Sequence, residues 1–149
     1  MIDLAAGTAA PPSVHKAVID TNVVISSFFG GKPRDVMNLW RDGKLLLCLS
    51  DDILAEYLEV LARFESLTAS EARDLLDLFG DPQTAIFVTL RERIQEVVAD
   101  PADNIFLECA VAAGAHAIIS GDEHLLSLKQ FRDVRIVSPS DFLASAGDR

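Results

Sequence analysis

Lys16-Ala17-Val18-Ile19-Asp20-Thr21-Asn22-Val23 decides how the chain is read. Ala17, Val18 and Ile19 are apolar and run straight into an acid, and a helical pattern then covers 22–29 and stops at Gly30-Gly31. A short apolar run bounded by charge predicts a buried strand, here 16–20. The same step from strand to helix recurs downstream. Residues 44–49 predict a second strand, with Ser50 or Asp51 capping a helix over 52–64. Residues 117–120 predict a third, before a short helix over 123–128. Residues 134–137 predict a fourth, before a helix opened by Ser138-Pro139-Ser140-Asp141.

Between these units the punctuation is helical. Pro33 suits a first helical position, and a helix continues over 35–42 to Gly43. Thr68-Ala69-Ser70-Glu71 has the spacing of a capping box and opens a helix that ends near Gly80. Residues 85–90 are β-branched and aromatic and predict a short edge strand. Asp103 can cap a helix over 104–113, with Gly114 as its stop. Strands that alternate with helices predict an α/β fold: one domain with a central parallel sheet and helices on both faces.

The 149 residues are enough for one domain with a full core, and 50% hydrophobic with 24% charged residues is a globular composition. Residues 1–13 are read as a flexible extension and 14–149 as the domain. The net charge of -10, from 23 acids against 13 bases, argues against a broad basic surface for duplex nucleic acid. No apolar run approaches the ~20 residues that span a bilayer. The first residues also lack the basic start of a signal peptide, so a cytoplasmic protein with no membrane partner is expected. Cys48 and Cys109 lie in apolar runs and read as buried hydrophobes. His15, His116 and His124 are too scattered for a zinc set. Trp40 and the phenylalanines read as core, and Arg91-Glu92-Arg93 as a solvated face. Lys32, Arg34 and Arg41 are candidates to meet a phosphate backbone.

Ligands of open parallel sheets bind beyond the carboxyl ends of the strands. Asp20 stands there, and Asp122 takes a matching place two residues past Ser120, after Gly121. Glu56 lies on the margin of a broad apolar arc formed by Ile53, Leu54, Tyr57, Leu58, Val60, Leu61 and Phe64, where a carboxylate is half shielded. Asp103 opens an apolar helix whose positive end faces the other acids. Asp100 and Glu108 are weaker candidates, with solvated surface as their default. Acids that converge in this way suit Mg²⁺ or Mn²⁺, ions that serve phosphate chemistry.

Taken in order, Val18-Ile19-Asp20-Thr21-Asn22-Val23, Glu56, Asp100-Pro101-Ala102-Asp103-Asn104 and Ile119-Ser120-Gly121-Asp122 resemble the PIN-domain family. Ser120-Gly121-Asp122-Glu123-His124-Leu125-Leu126 and Ser138-Pro139-Ser140-Asp141-Phe142-Leu143 strengthen the likeness, which is nearest to the VapC-like toxins of toxin–antitoxin systems. The resemblance implies a Mg²⁺- or Mn²⁺-dependent ribonuclease site in which Asp20, Glu56, Asp103 and Asp122 are catalytic and hold the metal, supported by Asn22 and Ser120. It gives no role to His124. It also implies an RNA substrate cut to leave a 5′-phosphate and a 3′-hydroxyl, a small antitoxin partner, and a homodimer as a frequent arrangement.

Two other readings belong to different classes. One is a non-catalytic module that binds an antitoxin or RNA. The other is a Mg²⁺-dependent phosphatase with Asp20 as covalent nucleophile; it is disfavoured because Asn22 stands where a second Asp is needed and no suitable Lys follows.

Overall fold

The computed structural model describes residues 15–97 and 100–147, so the extension expected over 1–13 lies outside the described residues. Six strands form one sheet: β1 (His15–Ile19), β2 (Leu45–Leu49), β3 (Ala85–Phe87), β4 (Ala117–Ile119), β5 (Gln130–Phe131) and β6 (Val134–Val137). Their spatial order is β3-β2-β1-β4-β6-β5. All neighbours pair in parallel except β5 with β6. Ala17, Val18 and Ile19 on β1, Leu47, Cys48 and Leu49 on β2, and Ile118 and Ile119 on β4 are buried whichever way their side chains point. That two-sided burial is what a sheet between helical layers requires.

The helices are α1 (Thr21–Ser26), which runs on into a 3-10 turn at Ser27–Phe29, then α2 (Gly31–Arg41), α3 (Asp51–Ala62), α4 (Ala69–Phe79), α5 (Asn104–Ala113), α6 (Glu123–Leu126) and α7 (Pro139–Gly147). From β1 through β2 to β3 the chain steps one way across the sheet; from β3 to β4 and β6 it steps back. Right-handed crossovers therefore put α2–α4 on one face and α5 on the other. Trp40, Phe79 and Tyr57 knit α2, α4 and α3 together, with ring centroids 5.4 and 5.6 Å apart. Trp40 Nε1 donates to Thr84 O at 2.8 Å and fixes this layer to the entry of β3. Thr68 and Glu71 form the reciprocal capping box at the start of α4, and Gly114 ends α5 at φ 64°, where a Cβ would be strained.

Several expectations give way. The helix expected from Pro33 starts two residues earlier, at Gly31; Pro33 still lies in the first turn, where its missing N–H costs nothing. Strand β5 has no sequence signal, because Lys129 and Arg132 adopt positive φ without being glycine. Phe29 and Phe87 are 75% and 50% exposed, so these two are not core. Arg91-Glu92-Arg93 is not simply solvated: Glu92 takes both guanidinium branches of Arg132 at 2.9 Å, and Arg93 bonds Asp52 at 2.7 Å and Glu108 at 3.0 Å. Cys48 and Cys109 are buried free thiols, and burial pushes each up to about 12. Among the described residues no helix is long and apolar enough to cross a membrane.

Candidate metal centre

β1 and β4, whose outgoing connections run toward opposite edges of the sheet, are parallel neighbours, with Ile19 beside Ile119. Their carboxyl ends form the topological switch point, where loops diverge and leave a crevice. Asp20 and Ser120 follow these two residues directly. Ser120 is fully buried, and its Oγ donates to Asp20 Oδ2 at 2.6 Å and accepts from Asp122 N at 3.0 Å. Asp20 Oδ1 accepts from Asn22 N at 3.2 Å, so this carboxylate also caps α1. Asp122 caps α6 in the same way, accepting from His124 N at 2.7 Å.

Asp103 reaches the crevice from the other face. A 3-10 turn over Pro101–Asp103 precedes α5, with Asp103 N bonded to Asp100 O at 3.0 Å. That bond closes the turn and draws Asp103 back toward Asp100. Carboxylate oxygens of Asp100, Asp103 and Asp122 lie within 4.8 Å of one another. The capping role expected for Asp103 does not occur: its side chain makes no capping bond to α5, and its Oδ2 is buried with no hydrogen-bond partner.

Glu56 stands apart from this triad. It is half-buried on α3 and accepts from Thr21 Oγ1, next in the chain to Asp20. On the following residue, the Tyr57 hydroxyl donates to Ile19 O, immediately before Asp20. The Asn104 amide makes reciprocal bonds with the backbone of Val97, at 2.8 and 3.2 Å. Glu108, expected at the surface, is buried and accepts from Ile94 N at 2.8 Å as well as from Arg93. It serves to hold the segment after β3 against α5. Arg34, a phosphate candidate, is occupied with Ser27 O and Phe28 O at 3.0 and 2.9 Å.

The electrostatics match the geometry. Burial pushes Asp103 up to about 8, helped by its contact with Asp122 and by the charges of Asp122, Asp100 and Asp20. Burial likewise raises Asp20; the bonds from Ser120 and Asn22 pull it back, while Asp122 and Asp100 push it up. Burial holds Tyr57 well above the usual phenol range, with Asp20 adding to the effect. The groups acting on the Asp103 carboxyl are all acids. An orphaned buried oxygen inside a ring of carboxylates is a polar site short of one positive partner. An all-oxygen donor set fits a hard divalent cation. Asp100, a weaker candidate in the sequence, joins the triad; the signal for it is Pro101, which starts the turn that sets Asp100 beside Asp103.

No curated protein sequence matches the chain. A family model described as PIN domain matches residues 16–124, from β1 through Asp122. The chain belongs to the PIN-domain family, whose members are generally metal-dependent nucleases.

Proposed function

We propose that this protein is a divalent-metal-dependent endoribonuclease acting as the toxin of a toxin–antitoxin pair in the cytoplasm. The observation that carries the reading is the buried, unpartnered Asp103 Oδ2 within the Asp100–Asp103–Asp122 triad. Asp103 and Asp122, with Asp100, would hold Mg²⁺ or Mn²⁺, and Asp20 would complete the set directly or through water. When bound, the ion supplies charge neutralisation at the scissile phosphate and a water of lowered pKa.

The chain's own groups do the rest. Ser120 fixes the Asp20 carboxylate and, through its acceptor side, the backbone of Asp122. Thr21 holds Glu56 at the edge of the crevice, where it can orient an attacking water. Asp103 must give up its proton to act as a ligand, so ion and proton compete for it. A protein partner is supported by an apolar groove between α3 and α4, lined by Leu58, Leu61, Leu67, Leu75, Leu76 and Phe79, with Leu58 and Leu76 exposed.

The test is cleavage of single-stranded RNA with Mn²⁺ by the wild-type chain and by Asp20→Asn and Asp122→Asn. Both variants should fold and lose activity. Full activity in both would overturn the assignment.

A further inference from the structure

Phe87 is the last residue of the edge strand β3, yet its ring is half exposed. The register places it beside Leu49 on β2. Ala17 is level with Leu47, so Leu49 is in turn level with Ile19, the residue before Asp20. Phe87 thus stands in the row that leads to the acids, about 10 Å from β1 at ordinary strand spacing. That is within reach of a neighbouring nucleotide of one strand of RNA.

The ring lines an open cleft of about 390 Å³ with Asp51, Asp52, Thr89, Leu90 and Arg93. Arg93 is already committed to two carboxylates, those of Asp52 and Glu108. Asp51, exposed at the start of α3, adds further negative charge. A phosphate would be repelled here, whereas a neutral planar base would not. Phe87 offers a π face, and the guanidinium of Arg93, 68% exposed, offers a second flat surface. Unpaired bases are bound by stacking on such groups while their Watson–Crick edges are hydrogen-bonded. A free carboxylate accepts two parallel N–H bonds, and guanine is the base that presents two adjacent donors, at N1 and N2.

We propose that the cleft between β3 and the start of α3 is a base-binding subsite for single-stranded RNA, in which Phe87 stacks an unpaired guanine and Asp51 accepts from its Watson–Crick edge. This rests on the ribonuclease reading above and names the substrate feature recognised beside the acids.

The experiment measures binding by fluorescence anisotropy of short labelled RNAs, all uridine or with one central guanosine, to the full chain with Ca²⁺ in place of Mn²⁺. The wild-type chain should prefer the guanosine RNA. Phe87→Ala should weaken binding about 10-fold, Phe87→Trp should retain it, and Asp51→Ala should remove the preference. Unaltered melting of each variant shows that the fold is kept, as a half-exposed edge ring allows. Equal affinity of wild type and Phe87→Ala, or no binding of either RNA by wild type, would overturn the subsite. Cleavage of the same RNAs by wild type with Mn²⁺ is scored separately. Cleavage with unaltered Phe87→Ala affinity removes the subsite alone; base-dependent binding without cleavage removes the nuclease alone.

Discussion

The Ser120 hydroxyl joins Asp20 to Asp122: it donates to Asp20 Oδ2 at 2.6 Å and accepts from Asp122 N at 3.0 Å. One buried hydroxyl thus sets the relative position of two acids that follow different strands. The bond to Asp20 also lowers that carboxyl, partly offsetting its burial.

Ser120→Ala should let Asp20 rise further. With Mn²⁺, the acidic limb of the kcat/KM profile should move to higher pH, and cleavage at neutral pH should fall about 10-fold. Stability should drop by about 1.5–3 kcal/mol, the range for a bond to a charged group. An unshifted pH profile in this variant would show that the hydroxyl does not tune Asp20.

Asp103→Asn tests the crowding of the acids. In the folded, metal-free chain Asp103 keeps its proton up to about 8, against about 3.9 when unfolded. The folded state binds the extra proton, so this contribution to stability is full below pH ~4 and is lost as pH rises toward about 8. Without metal, the variant should melt like wild type near pH 4 and above it at pH 8. Adding Mn²⁺ at pH 8 should reverse the order, because wild type gains a bound ion and the variant lacks a ligand. Thermal melts at the two pH values with and without Mn²⁺ check this, and parallel melting curves at both would refute it.

Tyr57→Phe should remove one buried bond and leave the ring stack with Phe79 in place. The loss should be about 1–2 kcal/mol, read as a fall of roughly 2–6 °C in melting temperature. Cleavage should change by no more than a few-fold, since the hydroxyl holds the carbonyl before Asp20 and not the carboxylate. A melting temperature equal to wild type would show that Ile19 O is satisfied without it.

The frame was legible because its signals are local. Apolar triplets at Ala17–Ile19 and Leu47–Leu49 need cover on both faces, the Thr68–Glu71 spacing is a helix start by itself, and Gly114 supplies the left-handed stop. What escaped depends on distant partners. Glu108 looked like a surface acid, yet it lies in a helix that is apolar almost all round. Its partners, Ile94 N and Arg93, come from a segment with no periodicity to place it there. Phe87 looked like core although 85–90 reads as an edge strand, because how far helices cover the end of that strand depends on packing between distant segments. Asp20, Asp103 and Asp122 were singled out by their places at strand ends and a helix start. Asp100 was underrated because its position depends on how Pro101 winds the backbone.

That winding has a mechanical outcome. Asp100 and Asp103 stand at the two ends of one proline-started turn that a backbone bond closes, and Asp122 is tied to α6 by its own cap. The backbones that carry the three acids are thus brought together by the polypeptide itself, before any cation arrives.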